Sequence, residues 1–201
     1  MFDARLRPLI DPPLNALAAP LAKTGVSATQ ITLAGFGLGA AACLAIACEV
    51  YWLGFLLICL NRLADGVDGA VARLTQKTDR GGYLDIVLDF FFYAGVPFAF
   101  ALADPAGNAL AAAALLFSFY ANGSAFLAFA VMAEKRGLET TAQGRKSLYY
   151  LSGIAEGAET IALFLVMCTF PQGFVWLAWG FAMVCWLSAA ARAISSAQAL
   201  K

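Results

Sequence analysis

The chain has 201 residues and no histidine. Imidazole is therefore excluded as base, nucleophile or metal ligand, and oxygen donors must carry any such chemistry. Charge is scarce too: Asp, Glu, Lys and Arg make up 13% of the residues against 62% hydrophobic, with a mean hydropathy of +0.76. Those values lie outside the soluble range and mark an integral membrane protein. Acidic and basic residues number 13 each, so net charge gives no footing for a nucleic-acid partner. The five cysteines, Cys43, Cys48, Cys59, Cys168 and Cys185, lack the paired spacing of a metal site and read as small buried hydrophobes. The opening MFDARLRPLIDPP carries charges and prolines where a signal peptide needs an apolar core, so no cleaved leader is expected.

What is present is a succession of apolar runs. They predict an all-α integral membrane protein with six transmembrane helices, at 31–48, 51–74, 82–103, 108–132, 147–170 and 174–196. A short amphipathic helix over 12–23, with Leu14, Leu17 and Leu21 at helical spacing, is expected on the membrane surface ahead of them. Ser27 and Thr29 offer a helix start, and Asp104 with Pro105 marks a turn. With no internal repeat and no dividing linker, residues 1–201 read as one domain. The small-residue stretches 35–42 and 111–114 suit close helix packing and a homodimer.

The basic residues orient the chain. With a cytoplasmic N-terminus, Arg5, Arg7, Lys23, Lys77, Arg80, Lys135, Arg136, Arg145, Lys146 and Lys201 all fall on the inner side, with Arg73 and Arg192 at inner helix ends. The outer loops then keep only Glu49 and Asp104. This alternation predicts a multi-pass membrane protein with both termini cytoplasmic.

Against this background the stretch 65–89 stands out, because charges in apolar segments are costly. Asp65 and Asp68 are three apart, Asp85 and Asp89 four apart, so each pair shares a helix face. A short polar link is expected to fold the two helices into an antiparallel hairpin on which four carboxylates converge at the cytoplasmic surface. Clustered carboxylates without His or Cys suit hard ions, Mg²⁺ or Mn²⁺, and four of them favour two ions sharing bridging carboxylates. Gly69 and Ala72 lie near the same face and leave room for a substrate, Gly66, Gly81 and Gly82 allow close backbone approach, and Arg73 suits a phosphate.

The run Asp65, two residues, Asp68, Gly69, two residues, Ala72, Arg73, seven residues, Gly81, three residues, Asp85, three residues, Asp89 resembles the signature of the CDP-alcohol phosphotransferase family. The helix layout is similar along essentially the whole chain, and the likeness is to a short bacterial inner-membrane branch, which implies a place in a bacterial inner membrane. The resemblance implies transfer of the phosphatidyl group of CDP-diacylglycerol to an acceptor hydroxyl, with release of CMP. It implies that Asp65, Asp68 and Asp85 bind a metal pair, that Asp89 helps with metal and takes the acceptor's proton, and that Gly69, Arg73 and Gly81 hold nucleotide and diphosphate. A dimer is implied as well. A cation transporter with an acidic site and a hydrolase of CDP-lipid are the rival readings, separated by whether CMP and a lipid product appear.

Several charges lie apart from this signature. Arg62, Glu156 and Glu159 are expected deep in the bilayer, and two readings stand side by side. Arg62 pairs with Glu156 or Glu159 and braces the fifth span, or these residues and Asn61 line an acceptor pocket. Arg145, Lys146 and Arg192 at inner helix ends can bind an acceptor phosphate. On those basic residues glycerol 3-phosphate is the first acceptor expected, with phosphatidylglycerol or an inositol-type polyol as alternatives.

Overall fold

The structure, a computed structural model, describes residues 3–137 and 156–200, with the side chains of 3–9 left aside. Every regular element among the described residues is helical: α1 Asp3–Lys23, α2 Ala28–Ala47, α3 Tyr51–Leu74, α4 Asp79–Ala103, α5 Pro105–Lys135, α6 Gly157–Thr169 and α7 Phe174–Ala199, the last entered through a 3-10 turn at Pro171–Gly173.

Local chemistry sets the boundaries. Ser27 starts α2 with a capping box: its hydroxyl accepts from the Gln30 N–H at 3.3 Å while the Gln30 side chain accepts from the Ser27 N–H at 2.9 Å. Glu49 turns the chain into α3 with a left-handed φ of 62°. Thr78 caps α4 by accepting from the Gly81 N–H, so α4 begins at Asp79, ahead of the expected 82, and absorbs part of the link. Asp104 caps α5 at the Gly107 N–H, with Pro105 in the first turn, where its missing N–H costs nothing. The first helix also starts earlier than expected, at Asp3.

The six-span expectation is corrected. Among the described residues four helices are long and apolar enough to cross a membrane: Ala28–Ala47, Asp79–Ala103, Pro105–Lys135 and Pro171–Ala199. The expected second span forms as α3, but Arg62, Asp65, Asp68 and Arg73 leave it too charged to count. The expected fifth span is described only as the 13-residue α6, because 147–155 fall outside the described residues. Summed apolarity could not separate a helix that carries the chemistry from one that meets lipid.

Helix α2 is the spine that positions the site. It packs on both α3 and α4, which approach each other little, so the expected α3–α4 hairpin is replaced by two helices leaning on a common third. Small residues permit this: a Cβ on Gly35 would lie 3.0 Å from the Ala64 Cβ, and one on Gly39 would meet the Phe92 ring at 2.8 Å. The small-residue stretch 35–42 is thus used inside the chain. Helix α1 docks on α3 by burying Leu14 and Ala18 against Val67, Ala70 and Val71. Gly66 makes room for Leu14, since a Cβ there would lie 2.7 Å from a Leu14 methyl.

On the far side of α4 the packing is aromatic. Phe100 stacks between Phe174 at 4.6 Å and Tyr51 at 5.7 Å, and Phe164 takes edge contacts from Phe92 and Phe119 at 6.2 Å. Such ring pairs add about 0.5–1.5 kcal/mol each beyond the surface they bury. They tie α3 to α7 at fixed distances from the aspartates.

Candidate active site

Helix α3 presents Asp65 and Asp68 on one face, and α4 presents Asp85 and Asp89. Because both helices lean on α2, the carboxylates meet across a gap. Asp65, Asp68 and Asp85 each offer an oxygen, and these oxygens lie within 4.8 Å of one another. Three hard, anionic donors at that separation fit Mg²⁺ or Mn²⁺ and offer nothing to softer metals. A cation bound there would be held by these three side chains.

Asp89 is placed differently. Its Oδ1 accepts a hydrogen bond of 2.9 Å from Arg62 Nη2, while Arg62 Nη1 stands 3.6 Å from Asp65 Oδ2. The expected pairing of Arg62 with Glu156 or Glu159 is replaced by this bridge between two aspartates of the cluster. The guanidinium is itself held: Nε donates to Asn61 Oδ1 at 2.8 Å, and the buried Asn61 donates to the Gly35 carbonyl at 2.8 Å. Phe92 and Tyr93 lie beneath it, with ring centroids 4.8 and 5.6 Å away. On the other flank the Thr32 hydroxyl reaches Asp68 Oδ2 at 2.6 Å.

Two cavities meet at the cluster. One of about 20 Å³ lies among Thr32, Asn61, Arg62 and the four aspartates. The other, about 860 Å³, is lined by the α1–α2 and α3–α4 connections and by Gly69, Ala72, Arg73 and Gly81, and it too reaches Asp68 and Asp85. Gly69, Arg73 and Gly81, expected to hold nucleotide, and Ala72, expected to leave room for a substrate, thus line one space beside two of the candidate metal ligands. Arg73 is exposed there, its Nη2 3.9 Å from Asp11 Oδ1 and 3.5 Å from Asn15 Oδ1 on α1.

The expected acceptor residues divide. Arg62 belongs to the aspartate cluster. Glu156 is buried at the start of α6 with Glu159 in its first turn, and Arg192 is buried on α7 with its guanidinium 5.3 Å over the Phe126 ring. Arg145 and Lys146 lie outside the described residues. Sequence reasoning missed Thr32. The signal for Thr32 was its register: it shares a helix face with Gly35 and Gly39, the small residues that let α2 approach its neighbours.

A family model for CDP-alcohol phosphatidyltransferase matches residues 26–189, spanning the whole aspartate stretch and most of the chain. The chain belongs to that family. It is accordingly a metal-dependent phosphotransferase, with Asp65, Asp68 and Asp85 as the candidate ligand set. The inner membrane protein YnjF of Escherichia coli K12 is 47% identical over 201 residues, covering 100% of this chain and 98% of that protein. With four helices among the described residues long and apolar enough to cross a membrane, this CDP-alcohol phosphatidyltransferase is likewise a multi-pass inner-membrane protein. An archaetidylinositol phosphate synthase of Pyrococcus horikoshii is 30% identical over 100 residues, 49% of this chain and 53% of that protein. The crystal structure of Mycobacterium tuberculosis phosphatidylinositol phosphate synthase with CDP-DAG bound shares the fold, with a TM-score of 0.64 at 19% identity over 92% of this chain and 90% of that one.

Proposed function

We propose that this protein transfers the phosphatidyl group of CDP-diacylglycerol to a hydroxyl of an inositol-type polyol phosphate, releasing CMP. The observation that carries the reading is the continuity of the larger cavity with the metal ligands: one space is lined by Gly69, Ala72, Arg73 and Gly81 and by Asp68 and Asp85. A nucleotide lying in it would bring its diphosphate to the carboxylate cluster.

In this reading Arg73 and the open backbone at Gly69 and Gly81 hold the cytidine diphosphate. A cation of the Mg²⁺ or Mn²⁺ class at Asp65, Asp68 and Asp85 supplies Lewis-acid stabilisation of the charge that builds on the departing CMP. Asp89 accepts the proton of the attacking hydroxyl as its oxygen bonds to the phosphatidyl phosphorus and the bond from that phosphorus to CMP breaks. Thr32 fixes the rotamer of Asp68, so that ligand needs little reorganisation.

The acceptor reading moves away from glycerol 3-phosphate. Support for the polyol phosphate comes from two similar proteins, the archaetidylinositol phosphate synthase and the phosphatidylinositol phosphate synthase, whose names carry that product class. Glu156 and Arg192, charges kept buried at the α6 and α7 ends of the bundle, are proposed as the acceptor side. The test is a competition: purified protein receives CDP-diacylglycerol, Mg²⁺ and equimolar inositol phosphate, inositol, glycerol 3-phosphate and phosphatidylglycerol, and the lipid products are weighed by mass spectrometry. Phosphatidylinositol phosphate should dominate. Phosphatidylglycerol phosphate as the main product would return the acceptor to glycerol 3-phosphate.

A further inference from the structure

Helix α1 forms part of the larger cavity's wall through Asp11 and Ala22, and the transfer chemistry makes no use of either. Among the described residues three carboxylates line that cavity. Asp68 and Asp85 belong to the candidate ligand set, and Asp11 does not. A space that admits a diphosphate gains no affinity from a further negative charge beside its arginine, so Asp11 serves some step other than capture. We propose that α1 is a strap along the nucleotide cavity and that Asp11 is its positioning residue for release: it takes Arg73 back from the spent nucleotide, so that CMP leaves readily. This rests on the nucleotide site proposed above and adds how that site is emptied.

Three features carry the inference. The first is the seat of α1. Asp11, Leu14, Asn15 and Ala18 share one helix face, and Leu14 and Ala18 are buried on that face against Val67, Ala70 and Val71 of α3. Leu14 enters the space that Gly66 leaves open. Apolar packing therefore brings Asp11 and Asn15 to Arg73, which stands two residues beyond Val71 on the same helix.

The second is the looseness of the contact itself. Arg73 Nη2 stands 3.9 Å from Asp11 Oδ1 and 3.5 Å from Asn15 Oδ1, and the Arg73 and Asp11 side chains are 46% and 47% exposed. Such a pair is easily exchanged, whereas a phosphate offers Arg73 charge-assisted hydrogen bonds. The diphosphate of the CDP-lipid displaces Asp11. CMP keeps one phosphate of the two, and against that smaller charge Asp11 competes better.

The third is the build of the strap. Pro12, Pro13 and Pro20 lie within α1, where each removes a backbone donor, so the helix depends on its docking to α3. It joins α2 through Gly25, which has a left-handed φ of 80° and nothing within 4 Å of where a Cβ would stand. Asp11 can yield to a nucleotide at that hinge while α2, α3 and α4 keep their places.

CMP binding to the purified full-length protein in Mg²⁺, followed by isothermal titration calorimetry, tests this without turnover. Asp11→Asn, an isosteric change at a half-exposed position, should melt as the wild type does and bind CMP about 2- to 5-fold more tightly, the worth of an exposed ion pair. Asp11→Glu should bind CMP as the wild type does. Asn15→Asp adds a carboxylate on the same face and should weaken CMP binding by a similar factor, which keeps the test open if Asp11→Asn does not fold. In an Arg73→Met background Asp11→Asn should lose its effect, because the two act as one pair. Unchanged or weaker CMP binding in folded Asp11→Asn, or the same gain without Arg73, would overturn the inference and leave the nucleotide site standing. No CMP binding by the wild type would instead overturn the nucleotide site.

Discussion

The two sides of α4 are built on opposite principles. Toward α1, α2 and α3 lie glycines, carboxylates and two cavities, and the helices stay apart because α3 and α4 both rest on α2. Toward α5, α6 and α7 lie close-packed aromatic rings, with Phe100, Phe164 and Phe174 wholly buried. One side is open and anionic and waits on a cation and a diphosphate; the other is filled and apolar and needs no ligand to hold its shape. Phe92 joins them: its ring packs at 82° to that of Phe164 and its centroid lies 4.8 Å from the Arg62 guanidinium carbon. A site that must admit ions can keep its geometry because the rigid side of the same helix sets it.

That contrast can be broken from either side. The largest effect should come from removing the ion: excess EDTA should take phosphatidyl transfer to background and Mg²⁺ should restore it, while the melting temperature changes little because the aromatic side carries the stability. Asp89→Asn should lower kcat about 10²–10⁴-fold, the usual loss of a general base, with much of the Mn²⁺ affinity kept. Loss of Mn²⁺ binding in that variant would put Asp89 among the ligands.

Phe100→Ala strikes the opposite side. It should cost about 3–5 kcal/mol of stability, read as a lower unfolding temperature in detergent, yet leave kcat of the folded fraction near wild type. A variant that stayed equally stable but inactive would mean that the two sides are not separable. Smaller again is Arg73→Met: charge-assisted contacts are worth about 1.5–3 kcal/mol, and an exposed one sits at the low end, so KM for CDP-diacylglycerol should rise about 10-fold with kcat held. Smallest is Gly39→Ala, where the new methyl would lie 2.8 Å from the Phe92 ring and 3.1 Å from Asn61 Nδ2. Overpacking of this kind costs about 1–3 kcal/mol, and because it presses on the groups that hold Arg62, kcat should fall a few-fold as well.

The site was more legible in the sequence than the fold. Asp65, Asp68, Asp85 and Asp89 declare themselves because charge is rare in apolar segments, and their spacing of three and four puts each pair on one face without knowledge of any partner helix. The caps at Ser27 and Asp104 were equally local and equally readable. The helix count was not, because α3 is both a helix among membrane helices and the carrier of the charge, and composition does not say which role sets its surroundings. Thr32 and the true partner of Arg62 were hidden for another reason. Each depends on how α2, α3 and α4 face one another, and a depth argument along one helix finds residues at the same level without saying on which side they lie. Arg62 and Glu156 were matched by depth, but the helix face of Arg62 is that of Asp65.

The central claim is most directly tested by following CMP release from CDP-diacylglycerol by the purified protein in detergent, with Mg²⁺ and inositol phosphate present or withheld. CMP and a phosphatidylinositol phosphate product should appear in equal amounts, only when both additions are made, and Asp89→Asn should slow both about 10²–10⁴-fold. CMP accompanied by phosphatidic acid alone, or no CMP with any acceptor, would contradict the account.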